Sequence, residues 1–188
     1  MNIAIHNISW ISPEQYLVNE NDNPGEIRHE YVDGTVYAMA GASRGHNLVT
    51  SKFALRLGIH LENTPCVVFQ SDMKVGIQLK KNMRFYYPDI QVSCKEEINA
   101  YYNINPSLII EVLSESTARK DRTEKLLAYQ MIQNLQEYVI CSQDTPSVDV
   151  HRRRCNWQQE RFMEGQIFTL ESVELDIAVD DLYQFLLI

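Results

Sequence analysis

The stretch from Ser107 to Ser114 constrains the fold more than any other part of the chain. Pro106 precedes it, and the run from Leu108 to Val112 is apolar and strand-prone apart from one residue, Glu111. A short, continuous apolar run is typical of a strand buried on both faces of a sheet. Burying an unpaired carboxylate costs on the order of several kcal/mol. The sequence therefore predicts that a cationic side chain, a metal ion or a retained proton compensates Glu111.

The chain has the length and composition of one globular domain spanning residues 1–188. Hydrophobic residues make up 45% of it and charged residues 22%, which is ordinary for a domain with a substantial core. The net charge of −8 counts against simple high-affinity binding of nucleic acid, because such affinity depends largely on Lys and Arg. Nucleases, however, also gather carboxylates that hold cations, so the charge does not exclude one.

The cysteines and the N-terminus bear on the compartment. Cys66, Cys94, Cys141 and Cys155 include no C-x-x-C pair, and we interpret the first three as small core residues. No basic segment followed by a long apolar run begins the chain, and no run approaches the length of a membrane span. We expect a soluble, cytoplasmic protein with reduced cysteines and no membrane partner.

Hydrophobic periodicity and turn residues predict alternating helices and strands. Ser12 and Pro13 predict the start of a short helix, and Asp33-Gly34 predicts a hairpin turn. A long helix over 44–63 is apolar around most of its circumference, so we expect it to be largely buried. The other predicted elements are strands at 29–32, 35–39, 65–70, 73–79, 87–94, 107–114 and 138–142, a helix at 118–133, an antiparallel meander at 148–154, 157–163 and 166–170, and a short helix at 180–187. The connection over 95–105 could be partly helical.

Two carboxylates stand on neighbouring predicted strands. Asp89 follows Pro88 on one strand, and Glu111 lies on the next. Side chains of adjacent strands can converge on one point, and hard cations such as Mg²⁺ prefer oxygen ligands. Asp89 could instead cap a turn, and Glu111 could pair with a structural arginine.

A lysine follows on the helix after the buried strand. Lys125 falls on one stripe with Ala128, Tyr129 and Ile132 by three-and-four spacing. An ammonium group beside a metal ion can position water or stabilise charge that develops on phosphate. Asp, Glu and Lys together are a minimum set for metal-assisted phosphodiester hydrolysis. Alternatively, Lys125 is a solvated member of the charged run at 119–125.

These motifs resemble a known family. The order of helix, strands, Pro88-Asp89, Glu111, helix and strand is similar to the restriction-endonuclease-like fold with its PD-(D/E)XK signature. Four segments more closely resemble the Uma-type family of endonuclease-like proteins: Tyr31-Val32-Asp33-Gly34, Tyr87-Pro88-Asp89-Ile90, Leu108 to Ser114, and Asp121 to Tyr129. The resemblance implies an α/β (α+β) fold with a central mixed sheet flanked by helices, an N-terminal hairpin and a C-terminal antiparallel meander.

The same resemblance implies roles for individual residues. Asp89 and Glu111 would be metal ligands, with the backbone carbonyl of Val112 as a further ligand. The lysine of the broad signature is replaced by Leu113, and Lys125 on the next helix matches the substitute lysine of the Uma-type pattern. The supporting candidates are Glu30, His46 and Tyr129. Glu30 could instead form a cross-strand ion pair, and His46 could be a hydrogen-bonded or solvent-facing side chain.

The sequence thus favours a magnesium- or manganese-dependent endonuclease that acts on DNA. A homodimer is expected, since two related active sites can cut both strands of a duplex. The alternatives are a non-catalytic nuclease-like module that binds nucleic acid or protein, and a hydrolase of another phosphoester. The run His151 to Arg154 could contact DNA, or it could be a charged edge strand exposed to solvent.

Overall fold

The computed structural model describes residues 10–22, 27–80, 82–114 and 118–187. Its α-helices are α1 (Pro13–Asn21), α2 (Arg44–His60), α3 (Ala118–Lys120), α4 (Leu126–Tyr129) and α5 (Val179–Tyr183). A π-helical turn (Asp121–Lys125) joins α3 to α4, and 3-10 segments cover Arg153–Cys155, Glu171–Val173 and Gln184–Leu187. Within the described ranges, no helix has both the length and the apolar content needed to cross a membrane.

The strands form three sheets. They are β1 (His29–Val32), β2 (Thr35–Ala38), β3 (Val67–Gln70), β4 (Lys74–Leu79), β5 (Asn82–Tyr86), β6 (Ile90–Ser93), β7 (Tyr102–Asn103), β8 (Leu108–Leu113), β9 (Glu137–Ser142), β10 (Ser147–Arg152), β11 (Gln159–Met163), β12 (Ile167–Leu170) and β13 (Leu175–Ala178). The largest sheet has the order β11-β10-β9-β8-β6-β3, a second has the order β2-β1-β5-β4-β7, and β12 pairs with β13 alone. The mixed α/β architecture predicted from the sequence is confirmed.

Strand β8 occupies the middle of the largest sheet. It pairs antiparallel with β6 and parallel with β9, and all six of its residues are buried, as its apolar run predicts. Alternation along the strand divides its side chains between two cores. The core on the α2 side contains Leu108, Ile110 and Val112 together with Phe53 and Leu57. The other contains Ile109 and Leu113 together with Ala128 and Tyr129. The same alternation directs Glu111 towards α4.

An aromatic cluster fixes the N-terminal hairpin. Tyr16 of α1 stacks on Tyr31 of β1 and on Phe85 of β5, with ring centroids 5.0 Å and 5.4 Å apart. Since Tyr31 is buried in this cluster, the neighbouring Glu30 lies on the opposite face of the strand. Asp33 and Gly34 both have positive φ, 50° and 96°, the conformation of the hairpin turn that the sequence predicts.

The long helix is less buried than its composition indicates. Phe53 and Leu57 pack into the core, but Leu55 and Ile59 are 60% and 66% exposed. Their spacing of four residues puts both on the outer face. The expectation of a largely buried helix is therefore wrong for that face.

The prediction of a C-terminal antiparallel meander is only partly correct. Strand β10 pairs antiparallel with both β9 and β11. Strand β12 does not continue this sheet but pairs with β13 in a separate one. The sequence interpretation missed three strands, β5, β7 and β13. The segment 95–105 contains β7 and no helix.

Two cysteines form a disulfide bond. Cys66 lies next to β3 and Cys94 next to β6, and the antiparallel register of these strands pairs Val67 with Ser93. The next facing positions are the two cysteines, which are joined in the structure. The interpretation of Cys66 and Cys94 as free core residues is wrong, whereas Cys141 is a free buried thiol.

Candidate active site

Asp89 lies where the pairing of β6 with β8 ends. The last paired residues are Ile90 and Ile110. Beyond them, the Asp89 carboxylate takes the place of a backbone partner, because its Oδ2 accepts the amide N–H of Val112 at 2.7 Å. Asp89 is therefore fixed beside the end of β8 that carries Glu111, and both residues line the same cleft.

Glu111 is 3% exposed and is held from the helical side. Its Oε1 accepts hydrogen bonds from the Lys125 ammonium and from the Tyr129 hydroxyl, both at 2.9 Å. Burial raises the pKa of Glu111 well above its ordinary value, and the carboxylates of Asp121 and Asp89 add to the increase, although Lys125 opposes it. The compensating cation in this structure is a lysine and not an arginine.

Lys125 lies among three carboxylates. Its Nζ is 2.9 Å from Glu111, 3.0 Å from Glu30 and 3.3 Å from Asp121, and its side chain is 6% exposed. Burial alone would lower the pKa of Lys125, but the surrounding acids raise it well above its ordinary value. The alternative of a solvated lysine is excluded, and the ammonium group stays charged.

Glu30 joins the hairpin to the helical segment. Its Oε1 faces Lys125, and its Oε2 accepts a hydrogen bond from Lys120 at 2.5 Å. Burial opposes ionisation, yet the two lysines lower the pKa of Glu30 overall. Glu30 thus forms ion pairs, but its partners, Lys120 and Lys125, come from the helical segment and not from a neighbouring strand.

His46 and Tyr129 complete the predicted set. His46 lies in the first turn of α2, and its Nε2 is 3.1 Å from Asp89 Oδ2. Its Nδ1 is buried and has no hydrogen-bond partner among the described residues. Tyr129 packs edge-on between Tyr86 and Tyr138, which orients its hydroxyl towards Glu111. Burial, and then Glu111, raise the pKa of Tyr129 well above its ordinary value, so the hydroxyl keeps its proton.

All of these groups except Tyr129 line one cleft of about 450 Å³. Four carboxylates face it (Glu30, Asp89, Glu111 and Asp121), against two ammonium groups (Lys120 and Lys125). Arg28 also lines the cleft, but it pairs with Asp72 outside it. The inner cleft thus carries surplus negative charge, which adds to the effect of burial in raising the pKa of Glu111.

The donor set is suited to a hard cation that keeps much of its water. Among the described residues, no three His, Cys, Asp or Glu side chains are grouped to hold a metal ion. Magnesium sites commonly use only one or two protein carboxylates and several waters. Asp89, Glu111 and the main-chain carbonyl of Val112 meet that requirement, and a divalent cation would balance the surplus charge.

Comparison with known proteins identifies the family. A family model described as "Uma2: Putative restriction endonuclease" matches residues 13–180. The chain belongs to the Uma2 family. The uncharacterized protein slr1290 of Synechocystis is 31% identical over 178 residues, which cover 93% of this chain and 92% of that protein. A second uncharacterized Synechocystis protein, sll1609, is 33% identical over 137 residues, 71% of this chain and 75% of its own length.

A protein of known structure has the same fold as this chain. The crystal structure of "a putative nuclease belonging to DUF820" from Anabaena variabilis superposes with a TM-score of 0.75 at 19% identity. The match covers 94% of this chain and 99% of that one. The fold is thus nuclease-like, and the family description supports a nuclease-like function.

Sequence reasoning missed two residues of the Uma2 cleft, Lys120 and Asp121. Asp121 precedes Lys125 by four residues, so helical spacing alone could have found it. Lys120 precedes Lys125 by five residues. An α-helix would place the two side chains roughly 140° apart, so only the π-helical turn brings them together.

The run His151 to Arg154 is not the charged edge strand that was one of its two predicted roles. Strand β10 lies between β9 and β11 and is not an edge strand. Arg152 is buried and binds Glu137 at 3.0 Å, and Arg153 donates to the main-chain oxygens of Ile132 and Leu135. These arginines stabilise the fold of this Uma2 chain and lie outside the cleft.

Proposed function

We propose that this protein is a DNA endonuclease that depends on Mg²⁺ or Mn²⁺. The observation that carries the proposal is the position of Glu111, a buried carboxylate on a central strand that shares one cleft with Asp89 and Lys125. Burying charged groups in this way costs free energy of folding. The family description, "Putative restriction endonuclease", supports a catalytic role for them.

Asp89, Glu111 and the Val112 carbonyl would hold the cation. A bound divalent ion supplies Lewis acidity towards a phosphate oxygen and lowers the pKa of bound water. The Val112 amide fixes Asp89, and Tyr129 fixes Glu111. These contacts hold both ligands close to one geometry before substrate arrives, which reduces the reorganisation needed during reaction.

Lys125 supplies the positive charge for the reaction. In phosphodiester hydrolysis a water oxygen bonds to phosphorus and the water gives up a proton. The P–O ester bond breaks and the departing oxygen takes up a proton, so that no proton is gained or lost overall. Negative charge grows on the phosphoryl oxygens, and an ammonium group fixed nearby stabilises it. Glu30 and Asp121 keep Lys125 charged and in place, so both act as positioning residues. His46 orients Asp89 from α2.

The proposal extends to DNA as substrate and to a homodimer as the active form. A duplex has two antiparallel strands, and two copies of one site related by a two-fold axis match that symmetry. The cytoplasm is the compartment we propose for this activity.

Cleavage and cation binding together test the proposed function. Supercoiled plasmid is incubated with wild type, Asp89→Asn and Glu111→Gln in Mg²⁺ and in Mn²⁺, and Mn²⁺ binding is measured by calorimetry. We expect wild type to cut, and both variants to lose cutting and cation binding while retaining the folded circular dichroism spectrum. Glu164→Gln, at an exposed turn outside the cleft, is the matched control and should behave as wild type.

Two results would contradict the proposal. Either variant cutting at the wild-type rate would remove that carboxylate from the site. Failure of the wild-type protein to bind Mn²⁺ near millimolar concentration would favour the non-catalytic module instead.

A further inference from the structure

The π-helical turn gives the cleft a second lysine. Residues Asp121–Lys125 form this turn between α3 and α4. In a π-helix the backbone bonds run from residue i to i+5, so residues five apart come to lie on one face, and such turns are frequent at functional sites. Lys120 and Lys125 are five apart, and both reach the same carboxylate, Glu30.

The two lysines differ in their surroundings. Lys125 is the inner one, with a side chain 6% exposed and three carboxylates around it. Lys120 is the outer one, with a side chain 18% exposed, and Glu30 is its one carboxylate partner among the described residues. Glu30 divides its single negative charge between two ammonium groups, so Lys120 is only partly neutralised.

Two aromatic rings hold the outer lysine at the cleft. The Lys120 ammonium lies 5.1 Å from the ring centre of Tyr37 and 5.4 Å from that of Tyr86. Ring faces attract a cation but accept no strong hydrogen bond. An ammonium group has three N–H donors, and Lys120 uses one of them on Glu30 Oε2. A partly neutralised ammonium whose other two donors have no hydrogen-bond partner among the described residues, lining an open cleft, is suited to an anionic ligand.

We propose that Lys120 binds a backbone phosphate of the nucleic acid, separate from the role of Lys125 in the reaction. The inference rests on the proposed function for the identity of the substrate, and it adds the residue that holds that substrate. Lys120 offsets part of the acidity of the cleft at its outer side, where a polyanion must approach. Its contact is electrostatic, so it contributes affinity without preference for sequence.

Binding measured without cleavage tests the inference. A fluorescent DNA duplex is titrated with wild type, Lys120→Gln and Lys120→Arg in Ca²⁺ and in EDTA, over a series of salt concentrations. Each phosphate contact contributes about 0.9 to the slope of log K against log salt for duplex DNA. We expect Lys120→Gln to make the slope shallower by about 0.9 and to weaken binding about five- to tenfold near 0.1 M salt. Lys120→Arg should keep the wild-type slope.

The matched control is Lys95→Gln. The Lys95 ammonium is exposed, donates to Asn134 and lies outside the cleft, so the same substitution there should leave the slope unchanged. A purely structural role for Lys120 would lower the melting temperature of Lys120→Gln and leave its salt slope at the wild-type value, which would overturn the inference. Absence of DNA binding by wild type would overturn it as well.

A second measurement on the wild-type protein does not depend on how the variant folds. Lysine acetylation is followed by mass spectrometry with and without DNA. Protection of Lys120 but not of Lys95 supports the inference, and equal labelling of Lys120 in both conditions contradicts it. The outcomes also separate the two proposals, since a loss of salt slope without any cleavage would retain Lys120 and refute the endonuclease. Cleavage by wild type, together with a wild-type salt slope for Lys120→Gln, would support the endonuclease and refute the role of Lys120.

Discussion

Two clusters of charged side chains lie beside the six-stranded sheet, and they differ in their donors and in their exposure to solvent. The cleft cluster consists of Glu30, Asp89, Glu111, Lys120, Asp121 and Lys125. The arginine cluster consists of Glu137, Arg152, Glu160 and Glu171. In the cleft cluster, two flexible ammonium groups accompany four carboxylates, and the pKa of Glu111 is raised, chiefly by its burial. In the arginine cluster, one guanidinium group reaches three carboxylates, at 3.0, 2.7 and 3.2 Å, and two of these, Glu160 and Glu171, are 38% exposed to solvent.

Structural and functional charge clusters differ in how completely their donors and acceptors are used. The donors of Arg152 are spread over these acids and the main-chain oxygen of Thr169, and Glu137 also accepts the amide of Ser172. Guanidinium groups suit such fixed, many-partner contacts. A cluster with satisfied partners needs no ligand. A cluster with residual repulsion facing a cleft gains stability when a cation enters.

The largest expected effect is on stability, in the arginine cluster. Arg152→Met should lower the free energy of unfolding by about 3–5 kcal/mol, because it leaves Glu137 buried without its charged partner. Urea unfolding followed by circular dichroism measures it. Arg154→Met is the control, since that side chain is 61% exposed and a solvent-exposed ion pair such as its pair with Glu171 contributes little to stability. Equal losses for both variants would contradict the distinction between the clusters.

The next effect is on catalysis, in the cleft cluster. Lys125→Met should lower turnover on DNA about 10²- to 10³-fold, the usual result of removing one group that stabilises transition-state charge. The stability loss should be smaller than for Arg152→Met, because Lys120 still pairs with Glu30 and Glu111 can retain a proton. Single-turnover cleavage and Mn²⁺ calorimetry separate rate from affinity. An unchanged rate would remove Lys125 from the site.

Much of the cleft could be predicted because its key residues break a local pattern. Glu111 interrupts an apolar strand, and Lys125 lies on an apolar helical stripe, so each carries a charge where the fold requires burial. Period-two and helical spacing then give the face that each side chain occupies. The hairpin that carries Glu30 was predictable for a similar reason, since Asp33-Gly34 determines its turn.

The rest depended on pairings that no local pattern encodes. The disulfide between Cys66 and Cys94 requires knowing that β3 lies beside β6, a contact between strands separated by β4 and β5 in the chain. Lys120 required the π-helical turn, which helical periodicity does not reveal. The arginine run was misread because an exposed edge and a satisfied interior strand can share one sequence pattern, and only the neighbours of β10 distinguish them.

Cation binding should stabilise the protein only through the cleft. At ten times the Kd, Mn²⁺ should add about 1.4 kcal/mol to the free energy of unfolding, seen as a rise in melting temperature. Glu111→Gln should abolish the rise, whereas Arg154→Met should retain it. A rise that persists in Glu111→Gln would place the cation elsewhere.

The smallest expected effect is a pH dependence at an acid that neighbours the arginine cluster on β10. The side chain of Asp149 is buried; burial disfavours its charged form, but hydrogen bonds from Arg161 and Arg122 lower its pKa below the ordinary value overall. A lowered folded-state pKa contributes stability that is present above the unfolded-state value and is lost as pH falls through the folded-state value. Wild type should therefore lose stability below about pH 4 more steeply than Asp149→Asn. Thermal unfolding of both proteins between pH 2 and 7 measures the difference, with Asp176→Asn, an exposed carboxylate on β13, as control. Parallel curves for wild type and Asp149→Asn would show that the two arginines do not favour the ionised form of Asp149. The contrast with Glu111, whose pKa is raised, would then fail.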